Sequence, residues 1–433
     1  MRNGSSFSLG RRTCAVLVFA ALGLSVCSNA GAQARADSEV TLTPYAQIIV
    51  NAGMNTGTAA PSQEAPVGAP AGSNVGDGLP TDGSFVLTSR QSRVGLKGQY
   101  VLENDLDATA TVEIDFWGLH EDGGPTGITQ PGPRLRLGYA DIGGKSWRVF
   151  AGQTWSVVTP RLPMSISHSA IVLHTGSGAL WQRLPQLGVS LDQALDGGEG
   201  EQRLGVKLAV VRSVSGEPGA GVITRADNAD PGAASQLPGG EAHAGYESKL
   251  FAFGVGGRFA REKFLTVDAA GVAGDVSVSS WLASLDAKLT TDWFWLGGQG
   301  WTGENLNGMF SRQGVLLTRG STDPAQPAFA EVRDVEALPA MGGWVELGVP
   351  VVESLKIVAS VGAEVGDEDK LPVGAAKSNL GLFGGVFYSP VKRLTTSLEY
   401  YRTDTRYRAV PGAPDELRQG LNDNLTLNAK LEL

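Results

Sequence analysis

The chain has 433 residues, 42% of them hydrophobic, with 35 basic and 44 acidic side chains and a net charge of −9. That acidic balance argues against nucleic acid as a partner, which needs a basic face. No segment beyond the amino-terminal region approaches twenty apolar residues, which excludes a bundle of membrane-crossing helices. The 59 glycines suit tight turns and close strand packing better than a helical enzyme.

Arg2, Arg11 and Arg12 precede a largely apolar stretch from Thr13 to Val26. This length suits the apolar region of a secretory signal and is too short for a bilayer-crossing helix. Ala30-Gly31-Ala32 is a small-residue cleavage site, with Ala32-Gln33-Ala34 as an alternative. Residues 1–32 are therefore expected to be a signal peptide, and 33–433 a single mature domain. Thr13-Cys14 after Arg11-Arg12 does not suit a twin-arginine signal, and Val26 before Cys27 does not suit a lipoprotein box. Both cysteines fall inside the segment to be removed, so disulfides, thiolate catalysis and cysteine metal sites are excluded from the mature protein. Loss of three arginines leaves 32 bases against 44 acids, a mature charge of −12.

From residue 40 onward the pattern has period two, the mark of strands with one apolar and one polar face. Val94, Leu96 and Tyr100 oppose Arg93, Lys97 and Gln99. Leu135, Leu137 and Tyr139 oppose Arg134 and Arg136. Leu204, Val206, Leu208 and Val210 oppose Arg203, Gly205, Lys207 and Ala209. Phe251, Phe253, Val255 and Phe259 alternate with small residues and Arg258. Val345, Leu347 and Val349 oppose Trp344 and Glu346, and Leu394, Leu398 and Tyr400 oppose Ser397, Glu399 and Tyr401. Candidate strands are 40–51, 84–100, 106–118, 134–142, 146–156, 185–193, 202–213, 241–247, 249–261, 275–290, 292–302, 341–350, 354–366, 379–389, 392–404 and 422–433.

The last of these runs to the end of the chain, with Leu425, Leu427, Ala429, Leu431 and Leu433 alternating with polar residues. Final residues are usually loose unless tied down, and a terminal strand is what a barrel needs to close on its first strand. Connectors alternate in length. Short ones occur at Gly143-Gly144-Lys145, Pro350 to Glu353 and Ser389-Pro390-Val391. Long ones occupy about 52–83, 119–133, 157–184, 214–240, 262–274, 303–340, 367–378 and 405–421. The fold class is thus all-β: a single transmembrane antiparallel barrel of about 16 strands, range 14–18, with short periplasmic turns and long extracellular loops. Trp117, Trp147, Trp155, Trp293, Trp295 and Trp301 fall near strand ends, where interfacial girdles are expected.

Ser92-Arg93-Val94-Gly95-Leu96-Lys97-Gly98 resembles the second-strand signature, of SRxGxKG type, of Gram-negative porins. Thr111-Val112-Glu113-Ile114-Asp115-Phe116 follows at the spacing of their acidic strand. Arg134 to Tyr139, then Val149-Phe150-Ala151-Gly152-Gln153-Thr154-Trp155-Ser156, is similar to the paired-strand signature of DcaP-like porins. The resemblance covers residues 84–190, and beyond them it is architectural. Leu433 departs from it, since outer-membrane strands usually end in an aromatic residue. The resemblance implies a trimeric diffusion porin of the cell outer membrane, assembled by the barrel assembly machinery, embedded in outer-membrane lipid and passing small hydrophilic solutes. DcaP-like relatives are associated with small anions, including dicarboxylates. The loop after the fifth strand, about 157–184, is expected to fold inward and narrow the pore. It carries Arg161, His168, His174 and Arg183.

Channel selectivity comes from charged side chains near a constriction. Arg93, Lys97, Arg134 and Arg136 are expected to form a basic wall, with Glu113 and Asp115 as lumen carboxylates. Arg148, on the parity of Phe150, is left on either face; Arg161 and Arg183 join from the loop. No cofactor or metal is expected. His168 and His174 are six apart, not a helical metal pair, and the flanking Ser165, Ser167 and Ser169 form no nucleophile elbow. Besides the porin, two readings stand: a structural or adhesive barrel plugged by its loops, and a barrel enzyme using His168 or His174.

Overall fold

In the computed structural model the described residues are 40–56, 83–102, 105–118, 132–195, 201–215, 230–321, 331–409, 412 and 418–433. The signal segment, both cysteines, His120 and most of the connectors 52–83 and 119–133 lie outside them.

Sixteen antiparallel spans form one closed wall. They are β1 (Val40–Asn55), β2 and β3 (Ser84–Thr88 and Arg93–Val101, two halves of one span), β4 (Asp107–Gly118), β5 (Gly132–Gly143), β6 (Trp147–Trp155), β7 (Arg183–Ala194), β8 (Gln202–Val211), β9 (Gly239–Ser248), β10 (Phe251–Val267), β11 (Ala273–Thr290), β12 (Trp295–Glu304), β15 (Pro339–Val352), β16 (Leu355–Gly366), β17 (Ala376–Val391), β18 (Leu394–Tyr407) and β19 (Gln419–Glu432). The remaining two strands, β13 (Val315–Arg319) and β14 (Val332–Ala337), pair only with each other in a hairpin off the wall. Each of the sixteen spans read from the sequence is present, including the short one at 241–247.

The wall closes where β19 pairs with β1, with Val50 opposite Ala429 and Asn51 opposite Asn428. Alternation assigns the two faces. Ile48, Val50, Leu425, Leu427 and Leu431 are exposed on the outside, whereas Asn51, Asn55, Asn424 and Asn428 are buried within. Asn51 Nδ2 donates to Asn428 Oδ1 at 2.7 Å, and Asn424 Nδ2 to Asn55 Oδ1 at 2.9 Å. The seam therefore carries an amide ladder inside and an apolar surface outside, as a barrel in lipid requires. The same division runs round the wall: Phe253, Val255 and Phe259 are exposed while Arg258 is 4% exposed.

Four local departures from the sequence reading have physical causes. First, the span 84–100 is broken at residues 89–92, where Ser92 N bonds Ser89 O and the Ser92 hydroxyl takes the Ile49 amide. The break turns Gln91, fully buried, toward the lumen. Second, β5 carries a bulge: Glu113 pairs with Leu137 but Ile114 with Leu135, so Arg136 is the extra residue. Parity shifts beyond it, and Tyr139 faces the lumen with Asp141 rather than sharing the outer face with Leu135. Third, 262–274 is mostly strand, not connector. β10 and β11 pair out to Val267 and Ala273, because Phe264 and Val278 are covered by Val332 and Val335 of the β13–β14 hairpin. Fourth, the tryptophans do not form one girdle. Trp147 and Trp293 are exposed near short turns, whereas Trp117 and Trp301 are buried.

Candidate functional site

β6 ends at Trp155 and β7 begins at Arg183. The chain between them folds into the barrel and follows its inner wall as a collar. Wall carboxylates pin its first half in succession. Glu241 on β9 accepts from the Ser156 hydroxyl and the Val157 amide, at 2.8 and 3.0 Å, and also holds Arg258 at 2.6 Å. Asp286 on β11 pairs with Arg161 at 2.7 Å. Glu346 on β15 takes the Met164 amide at 2.6 Å. Glu399 on β18 takes the Ile166 and Ser167 amides at 2.9 and 3.2 Å, and the Ser165 and Ser167 hydroxyls at 2.6 and 2.7 Å. A loop amide placed inside a barrel must find an acceptor, and here the wall supplies carboxylate side chains.

The collar then reaches β3–β5. Gln91 bridges it, donating to the Ser167 carbonyl at 2.6 Å and accepting from the Ala170 amide at 2.9 Å. Arg93 donates to the Ser169 carbonyl. Arg134 bonds both oxygens of Asp115, at 3.0 and 2.6 Å, and the Ala170 carbonyl at 3.3 Å. Arg136 bonds Glu113 at 2.7 Å, Asp115 at 3.0 Å and the Ser169 carbonyl at 3.3 Å. Glu113 also accepts from the Tyr45 hydroxyl at 3.0 Å.

The second half returns across the lumen to β12 and β15–β17. His174 Nε2 lies 2.8 Å from the Ser360 hydroxyl, Asn379 donates to the Gly176 carbonyl at 2.9 Å, and Trp301 donates to the Gly178 carbonyl at 2.7 Å. Ser177 and Tyr401 share a hydroxyl contact of 2.8 Å. Two inward wall glycines and one loop glycine make the contact. A Cβ at Gly362 or Gly381 would strike His174 and Ser177, and Gly178, at φ +111°, seats against the Gly343 carbonyl. Trp181 stacks on Phe310 at 4.2 Å, and Arg183 lies over the Trp155 and Trp181 rings at 5.0 and 5.3 Å.

The sequence-derived residues thus face inward, but in different roles. Arg93, Arg134 and Arg136 lie against the collar with Glu113 and Asp115, and Arg136 is 2% exposed. They are therefore a fastening for the loop, not an open basic wall. Lys97 stands apart, exposed, 5.3 Å over the Tyr45 ring. Arg161 is turned to Asp286, and Arg183 is 9% exposed. Arg148 faces inward, paired with Asp107 at 2.9 Å and with Asp141.

Beside the collar lies a cavity of about 550 Å³. Pro160 and Leu162 of the loop form one side of it. Tyr139, Arg148, Phe150, Ser190 and Lys207 of β5–β8 are on the wall side. Sequence reading placed Lys207, Glu346 and Glu399 on polar faces but gave no reason to single them out. Gln91 had no signal, because it sits in the strand break.

His168 lies 3.2 Å from the Ser165 hydroxyl and 2.9 Å from that of Ser167. Glu399, however, bonds the serines and the loop backbone, not the imidazole. Among the described residues no carboxylate is hydrogen-bonded to the His168 ring, and the cluster anchors the loop. Burial lowers the His168 pKa to about 4 and the His174 pKa to about 3.

The apolar outer face, the sixteen-span wall and the inward collar make a closed transmembrane-type β-barrel whose lumen is narrowed from within. Comparisons with known proteins bear on which barrels share this fold. No family model and no curated protein matches the sequence. Among solved structures, the outer membrane channel DcaP of Acinetobacter baumannii aligns over 94% of this chain and 100% of its own, with TM-score 0.62 and 16% identity. An anion-selective porin from Comamonas acidovorans aligns over 91% and 100%, with TM-score 0.54 and 12% identity. Salmonella typhi OmpF aligns over 90% and 97%, with TM-score 0.53 and 11% identity. At these identities the shared property is the fold.

Proposed function

We propose that the protein is a porin giving passive diffusion of small hydrophilic solutes across the outer membrane, with a weak preference for anions such as small dicarboxylates. The observation that carries this reading is the collar. It is fixed round much of the inner wall, yet leaves a cavity between Pro160–Leu162 and the β5–β8 wall. A loop fixed in this way sets a size limit without closing over one bound solute, which suits diffusion rather than catalysis. Of the three charged side chains facing the cavity, Arg148 is paired with Asp141, and Lys207 has no ion pair among the described residues. Local field outweighs total charge in a narrow path, so the acidic balance of the chain does not oppose anion passage.

The assembly belongs to the same proposal: residues 1–32 removed as a secretory signal, barrel assembly machinery as the insertion partner, and a homotrimer in outer-membrane lipid. A trimer form exists among the similar structures, for OmpT of Vibrio cholerae. Liposome swelling tests the reading. Liposomes carrying the refolded protein should swell in small sugars and faster in a small dicarboxylate of similar size, and not in large oligosaccharides. Absence of swelling from folded, inserted protein would favour the plugged, structural barrel.

A further inference from the structure

Of the three charged side chains that line the cavity beside the collar, Arg148 and Asp141 are paired with each other, and among the described residues Lys207 has no ion pair. Arg134 and Arg136 are paired with Glu113 and Asp115, and they and Arg93 are capped by loop carbonyls. Arg161 is held by Asp286, which His243 also contacts at 2.8 Å. Arg148 lies between Asp107 and Asp141, so that group as a whole is one charge negative. Lys207 differs from all of these. It is exposed, lines the cavity beside the collar, and makes no ion pair among the described residues. Its cross-strand neighbours are Ser190 on β7 and His243 on β9. Asp192 stands opposite Gly205, nearer the turn, and does not line the cavity.

We infer that Lys207 sets the charge preference of the solute path, with the cavity between Pro160–Leu162 and the β5–β8 wall as that path. This role of Lys207 rests on the porin reading above. A charge that is already paired presents little net field to a passing ion, whereas an unpaired ammonium in the lumen acts on every ion that passes. Lys207 opposes the net negative Arg148 group. Without it, the three charges that line the cavity become Asp141 and Arg148, backed by Asp107. The path is then left on the cation side of neutral. The buried arginines, which sequence alone marks as the selectivity wall, contribute mainly to holding the loop.

The test is the reversal potential of the refolded protein in a planar bilayer under a potassium chloride gradient, for the native chain, Lys207→Gln and Lys207→Glu. An ion passing about 7 Å from a unit charge in water feels a Boltzmann factor of roughly threefold. The ammonium attracts chloride and repels potassium, so the chloride-to-potassium permeability ratio should fall by that factor squared, roughly sevenfold and past unity in Lys207→Gln, and roughly fiftyfold in Lys207→Glu. Single-channel conductance of either variant should show that it is folded and open. An unchanged ratio in conducting variants overturns the assignment of Lys207 while leaving the porin reading intact. A native chain that inserts but does not conduct overturns the porin reading, and the inference with it.

Discussion

Gly362 on β16 lies directly beneath the imidazole of His174, so that a Cβ there would stand 2.6 Å from its Cγ and 2.4 Å from the Ser177 carbonyl oxygen. The missing side chain is what lets the loop reach the far wall. Overpacking such a contact costs about 1–3 kcal/mol, a large share of what holds a loop segment. Gly362→Val should leave the barrel folded but undock residues 172–179. The measurement is single-channel conductance, which should rise in step size and become noisier, with protease cleavage appearing in the loop.

Glu399 should hold the middle of the collar. Its carboxylate accepts from two loop amides, two loop hydroxyls and Ser397. Glu399→Gln replaces one acceptor oxygen by a donor, and bonds to charged groups are worth about 1.5–3 kcal/mol each. Hydrogen exchange at residues 164–170 should accelerate at least roughly tenfold, since about 1.4 kcal/mol is tenfold. Exchange in the β15–β19 strands should not change.

Acid should loosen the same loop. His168 and His174 are neutral when docked, because burial holds their pKa values at about 4 and about 3 against 6.5 when free. The undocked form therefore binds more protons below pH 6.5. Docking is at full strength above that value and weakens as pH falls through 6.5 toward 4. At pH 5 the loss is on the order of 2 kcal/mol per imidazole. Exchange of loop amides measured at pH 7.5 and at pH 5, corrected for intrinsic rates, should show protection lost at the lower pH. His168→Gln with His174→Gln should flatten that dependence.

Arg136 should matter more for stability than for selectivity. Removing it leaves Glu113 and Asp115 buried with one cation fewer, and breaking a buried pair costs about 3–5 kcal/mol. Arg136→Ala should lower the denaturation midpoint in urea. Adding Glu113→Gln should recover part of the loss, because the carboxylate it leaves behind is removed. The reversal potential should move less than in Lys207→Gln.

Most of the wall was legible in the sequence. Alternation between Leu425 and Leu433 is the closing strand, and Asn428 on its other face is the amide that meets Asn51 across the seam. Arg134, Arg136, Glu113 and Asp115 lie on the inner face of the wall, against the collar. What they do there was not legible, because it depends on where the Ser169 and Ala170 carbonyls arrive, and no local pattern encodes a loop's path across a lumen. The bulge at Arg136 and the break before Ser92 escaped for a related reason. One extra residue costs little locally, yet it reverses parity for everything beyond it, as Tyr139 shows. Lys207 was one lysine among several on polar faces. Only the cavity and the pairing of its neighbours set it apart.

On the porin reading, the collar narrows the barrel without sealing it. The most direct measurement is single-channel conductance of the refolded, folded protein in a planar bilayer at neutral pH. Discrete, stable steps are expected, grouped in threes if the trimer inserts as a unit. Folded protein that inserts and yields no steps, with steps appearing only in Gly362→Val, would contradict it and make the loop a plug.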